Sequence, residues 1–147
     1  MKHSLLALAL LSTATLLSGC AGSRALTGDK LEAHLGEKMQ MFGAAFKSDS
    51  VDVLMAMFTS EPEVIPNGRS LKGTDNVRNV MQQSVGSTSN FSLSVQDGTE
   101  GEGTFEQRGT YVLDDGSDLG SVGTFTAVWT EGESGEWLIS RLSWSEN

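Results

Sequence analysis

Apolar side chains recur at two different spacings, and the change falls near residue 90. Before it, Leu31, Leu35, Met39, Phe42 and Phe46 follow one another at steps of three and four. That spacing lays one apolar stripe along a helix of about four turns. Asp29 and Glu32 have the spacing of a capping box at its start. Ser48-Asp49-Ser50 interrupts the stripe and offers caps for a second, shorter helix over Val51–Phe58, with Leu54, Met57 and Phe58 on its buried side. Two prolines and an Asn-Gly pair in Glu61–Gly68 cannot continue a helix. They predict a short strand at Glu63–Ile65 and a loop around Asn67. Gly73-Thr74-Asp75 opens a third helix, with Val77, Val80, Met81 and Val85 along one side.

From Phe91 the period is two, as Phe91, Leu93 and Val95 alternate with serines and a glutamine. The pattern predicts a turn over Asp97–Gly103, a strand over Thr104–Leu113, and a turn over Asp114–Asp118. Two more strands follow, Ser121–Thr130 and Trp137–Trp144. Strands joined by short turns imply an antiparallel meander. Helices first and strands afterwards predict an α+β domain, three helices covering one face of a mainly antiparallel sheet. The last two strands carry all three tryptophans. On the final strand, strict alternation puts Trp137, Ile139, Arg141 and Ser143 on one face and Leu138, Ser140, Leu142 and Trp144 on the other. With Phe125, Trp129 and Trp137 facing the helices, Arg141 is expected on that covered face, inside any cavity between sheet and helices. There a guanidinium needs a carboxylate, from a ligand or from the chain itself. The other face, with Val112, Val122, Val128, Leu138, Leu142 and Trp144, is too apolar for a solvated sheet and predicts a homodimer through it.

Composition narrows the partners. The 147 residues are 38% hydrophobic and 20% charged, enough for one globular domain with a core, and the net charge is −9. An acidic chain with no basic stripe is a poor match for nucleic acid. The single cysteine, Cys20, excludes an internal disulfide. It follows a basic start (Lys2, His3), an apolar run over Leu5–Leu17, and Leu17-Ser18-Gly19. That run is too short to span a bilayer as a helix. The pattern resembles a bacterial lipoprotein signal with its lipobox, which implies cleavage before Cys20 and acylation of that residue. The expected organisation is then a signal peptide over residues 1–19, a lipidated tether over 20–29, and one domain over 30–147. Ala21 stands where inner-membrane retention would use aspartate. By that resemblance the anchor belongs on the periplasmic face of the outer membrane.

Beyond the signal, the order of motifs resembles the nuclear-transport-factor-2-like (NTF2-like) superfamily, including its SnoaL-like and ketosteroid-isomerase-like branches. The segments that carry the resemblance are Phe46–Phe58, Leu71-Lys72-Gly73-Thr74-Asp75-Asn76-Val77, Gly109-Thr110-Tyr111 and Trp137–Ser145. It implies a cone of three helices on a curved sheet with a pocket between them, and it leaves the activity open. The isomerase branch uses a carboxylate base in the loop after the second helix. Here Ile65 or Pro66 occupies that position, and Tyr111, the only tyrosine, lies on a strand rather than a helix. Glu61, Glu63 or His34 is left as an alternative base for an enzyme of the SnoaL or isomerase kind. After cleavage one histidine and an acylated cysteine remain, which gives no zinc ligand set. Asp114-Asp115-Gly116-Ser117-Asp118 lacks the spacing of a calcium loop. No metal, cofactor or catalytic residue is therefore assigned. The expected function is non-catalytic binding of a small, partly apolar molecule or a peptide, with Arg141, Trp129, Tyr111, Trp137 and His34 as candidate pocket residues. A third possibility is an envelope interaction protein whose pocket is closed.

Overall fold

A computed structural model describes residues 25–86, 90–114 and 121–147. The signal sequence, Cys20 and the turn expected over 115–118 lie outside these residues. The first helix, α1 (Gly28–Lys47), buries Leu31, Leu35, Met39, Phe42 and Phe46, the stripe read from the sequence. Its N-cap is Thr27 and no side chain caps it, so the Asp29/Glu32 box does not form. Instead the Gly28 N–H donates to the Glu100 carboxylate at 2.8 Å, which satisfies one of the free donors at the helix start. The second helix, α2 (Val51–Met55), is shorter than expected. Phe58 already opens a strand, β1 (Phe58–Pro66), which contains Pro62 and extends the short strand expected at Glu63–Ile65 at both ends. A two-residue strand β2 (Leu71–Lys72) leads into α3 (Thr74–Gly86).

The remaining strands are β3 (Asn90–Gly101), β4 (Thr104–Asp114), β5 (Ser121–Glu131) and β6 (Trp137–Glu146). β3 continues through Asp97–Glu100, so the turn is confined to Glu102-Gly103, where Gly103 has φ 63°. The sheet order is β2-β1-β6-β5-β4-β3. The predicted meander β3–β6 is antiparallel throughout, and β1 joins it parallel to β6. Fully buried Trp129, Ile139, Val64, Leu31, Leu35 and Leu54 form the centre of the core between sheet and helices. Each buried side chain of this size contributes about 1.5–3 kcal/mol relative to exposure.

Glycine on the inner face makes room for rings from the next strand. The Phe125 ring lies over its cross-strand partner Gly109, where an added Cβ would come within 2.6 Å of it and 2.2 Å of the Ser94 carbonyl oxygen. The Tyr111 ring lies in the same way over Gly123, 2.4 Å from the position of a Cβ. Aromatic cover of glycine lets a sheet curve without leaving a hole.

The other irregularity is in β6. Val128 and Trp129 are adjacent on β5, yet they pair with Arg141 and Ile139, so Ser140 is an extra residue. A bulge of this kind reverses the inward–outward alternation beyond it. Trp137 and Ile139 point into the core before the bulge, and Leu142 and Trp144 point inward after it. Arg141 is carried to the outer face beside Val128.

Candidate functional site

An apolar cavity of about 70 Å³ lies at one end of the cone, where the C-terminal halves of α1 and α3 meet the sheet. Met39, Phe42 and Phe46 close it from α1, and Met81 and Ser84 from α3. The sheet contributes Phe91 and Leu93 of β3, Tyr111 and Leu113 of β4, Phe125 of β5, and Leu142 and Trp144 of β6. The rings pack against one another around it, with Phe46 and Phe91 centroids 4.3 Å apart and Phe91 and Tyr111 centroids 6.5 Å apart. The two methionines give part of the wall a side chain that repacks easily.

Tyr111 supplies its ring to this wall, while its hydroxyl is covered from the cavity as well as from solvent. It is 4% exposed, and its hydroxyl has no hydrogen-bond partner among the described residues. Burial, with a smaller contribution from Glu146, pushes the phenol above its ordinary value, so it stays protonated and able to donate. No carboxylate, histidine or lysine of the described residues lines the cavity.

A second polar group is buried elsewhere on β4. Gln107 is fully buried; its Oε1 accepts from Trp129 Nε1 at 3.1 Å, and its Nε2 has no partner among the described residues. Lys38 of α1 places its ammonium 5.7 Å from the Trp129 ring and donates to the Trp137 carbonyl. Burial lowers the Lys38 pKa and the nearby Glu136 carboxylate opposes that shift.

On the opposite face of the sheet an open groove of about 590 Å³ runs beside the bulge. Arg141 Nε donates to Glu63 Oε2 at 3.0 Å, Ser70 Oγ donates to Glu63 Oε1 at 2.6 Å, and Lys72 Nζ stands 3.9 Å from the same carboxylate. The Ser70 hydrogen bond, with Arg141 and Lys72, holds Glu63 below the usual carboxylate range. Among the described residues no three His, Cys, Asp or Glu side chains gather closely enough to hold a metal.

No family model matches the chain, and no curated protein matches it in sequence. Solved structures do match in shape. A putative dehydratase of the NTF2-like family from Streptomyces avermitilis superposes with a TM-score of 0.70, at 15% identity, over 82% of this chain and 99% of its own. The fold is NTF2-like. A ketosteroid isomerase-like protein from Erwinia carotovora is similar at TM-score 0.66 and 14% identity, over 78% of this chain and 95% of that one. A cystatin-like-fold protein of unknown function from Nostoc punctiforme gives 0.67 and 12%, over 84% and 96%.

Within this NTF2-like cone, Tyr111 is the one predicted pocket residue that lines the apolar cavity. Trp129 and Trp137 are buried under α1 in the Lys38 cluster. His34 is half-buried on α1, outside the cavity wall. The expectation that Arg141 faces the cavity is corrected, because the Ser140 bulge turns it outward onto Glu63. Leu142 and Trp144, expected at a subunit interface, line the cavity for the same reason. Glu61 and Glu63 border the outer groove. Sequence reasoning missed Trp144, Leu113 and Ser84. Leu113 continues the Gln107–Gly109–Tyr111 alternation on β4 and was accessible from it, whereas Trp144 required knowledge of the bulge.

Proposed function

We propose that the chain is a lipid-anchored, non-catalytic binding domain whose cone end is a socket for one uncharged apolar group of a small, water-borne ligand. The observation that carries this is a cavity wall made almost wholly of aromatic, methionine and leucine side chains, with the unpaired Tyr111 hydroxyl buried behind it. Leaving a buried hydroxyl unpaired costs about 1–3 kcal/mol, and a ligand atom recovers part of that once the side chains covering the hydroxyl shift on entry. About 70 Å³ is well below the roughly 300 Å³ at which whole small-molecule sites begin. It fits a short apolar group, or a single ring once Met39 and Met81 repack. Anchoring at Cys20 on the periplasmic face of an outer membrane belongs to the same proposal and rests on the lipobox. The dehydratase and isomerase names of the structural neighbours favour an enzyme. Against it, Glu61, Glu63 and His34 all stand away from the cavity wall.

Thermal-shift and calorimetric titration with phenol and with toluene test the socket. Phenol should stabilise the wild-type domain more than toluene, and Tyr111→Phe should remove the difference, about tenfold in affinity for one hydrogen bond. If neither compound stabilises the wild type, or if Tyr111→Phe leaves the preference intact, the proposal fails.

A further inference from the structure

The cavity wall holds no charge, yet a carboxylate stands at its open edge. Along β6, Leu142 and Trp144 line the cavity, and Glu146 is the next residue on the same face. Its cross-strand partner is Gly123, which the Tyr111 ring covers, with the hydroxyl 2.4 Å from the position of a Cβ. Partners across an antiparallel ladder share a face, so the Glu146 side chain leaves the sheet beside the Tyr111 hydroxyl. It is near enough to oppose ionisation of the phenol, although no hydrogen bond joins them. Leu113 and Trp144, the cavity residues on either side of it, are half-buried, whereas the deeper Phe125 and Leu142 are buried. This edge is therefore one that opens to solvent.

The Glu146 carboxylate is unpaired there. Its backbone N–H donates to Asn67 Oδ1 at 3.1 Å, but the side chain forms no salt bridge among the described residues. Arg69, two residues after Asn67, is exposed and does not pair with it. α1 and α3 both end at this pole, and a helix C-terminus carries about half an elementary negative charge. Lys47 offsets this on α1, while α3 has no basic side chain in its last turn.

From this arrangement we infer that the ligand is an organic cation, its apolar group in the socket and its protonated amine against Glu146. The inference rests on the proposed socket and names the class of molecule that it takes. The rings of Trp144 and Tyr111 beside the carboxylate suit an alkylammonium, which aromatic faces attract. A metal ion is a poor match, because one carboxylate lacks the further oxygen ligands that calcium or magnesium needs. Trp144 and Glu146 are about 7 Å apart along the strand, a distance that one ring and a two-carbon linker span.

Calorimetric titration of the protein with 2-phenylethylamine, 2-phenylethanol and 3-phenylpropanoate tests this. The three share a ring and a two-carbon linker, and at neutral pH they are cationic, uncharged and anionic. The ammonium should bind about two- to fivefold more tightly than the alcohol, as for a solvent-exposed ion pair, and the carboxylate most weakly. Raising the salt from about 0.01 M to about 1 M should close that gap. Glu146→Gln should remove it, while Glu32→Gln, which deletes the same charge at the far end of α1, should leave it. An alcohol that binds as tightly as the ammonium overturns the inference, as does a preference that survives Glu146→Gln or falls equally in Glu32→Gln. In each of those outcomes the alcohol still binds and the socket stands. If none of the three compounds binds, the socket itself fails, and the cation preference with it.

Discussion

The Tyr111 hydroxyl separates stability from binding at a single atom. Unliganded, it is buried without a partner among the described residues, and removing it relieves a desolvation penalty. Tyr111→Phe is therefore expected to raise stability by about 1 kcal/mol while abolishing the preference for phenol. The midpoint of urea unfolding measures the first effect. A fall in the midpoint would mean that the phenol already has a partner in the folded protein. The ring itself should stay in place in the variant, because its seat is set by Gly123 beneath it and by Phe91 beside it, neither of which touches the hydroxyl's hydrogen bonding.

The sequence displayed most elements because each has a period that its own side chains show. The α1 stripe from Leu31 to Phe46 is buried residue for residue, and β5 turns Phe125 and Trp129 inward and Val122 and Val128 outward as read. A bulge has no period. Nothing in Leu138–Trp144 marks Ser140 as the extra residue, since its role is fixed by β5 across the ladder, where Thr130 Oγ1 donates to Ser140 Oγ at 2.9 Å and Ser140 Oγ donates to the Val128 carbonyl at 3.1 Å. Parity was consequently legible as far as Ile139 and inverted afterwards, which is why Arg141 and Trp144 exchanged faces. The second helix was overread for a related reason: Met57 and Phe58 continue a helical spacing, but β1 begins at Phe58, opposite Ile139. Deleting Ser140 should close the bulge without turning any side chain over, whereas deleting Ser143 should turn Trp144 outward. The first deletion is expected to be at least 1 kcal/mol less destabilising than the second, and urea denaturation of both compares them directly. The ion pair beside the bulge adds a pH signature. Glu63 has a folded pKa below its ordinary 4.5, so its contribution is present above that pH and is lost as pH falls through the lowered value. Glu63→Gln should flatten that acid limb of the melting temperature and leave the slope near neutrality unchanged. An unaltered acid limb would show that the contacts with Ser70 and Arg141 contribute nothing to stability.

At the scale of the molecule the bulge also redistributes apolar surface. Alternation alone assigned six large apolar residues to the outer face. With Leu142 and Trp144 turned inward, that face keeps Val112 and Val122, 42% and 48% exposed, and the half-buried Val128 and Leu138. Between them stand Thr110, Thr124 and Thr126. A second copy of the chain on this face is a proposal that now rests on these four aliphatic residues. Stable dimers bury about 800 Å² per partner around an apolar centre, and four dispersed aliphatic side chains supply only part of that. The expected state of the non-acylated domain is a weak monomer–dimer equilibrium. Val122→Lys places a charge on the most exposed of the four and should shift the equilibrium wholly to monomer in equilibrium sedimentation. The cavity is on the other side of the sheet, so the same variant should titrate with phenol as the wild type does. Sedimentation unchanged by Val122→Lys would remove this face as a dimer contact, and a change in phenol affinity would show that the two faces of the sheet are coupled through β5.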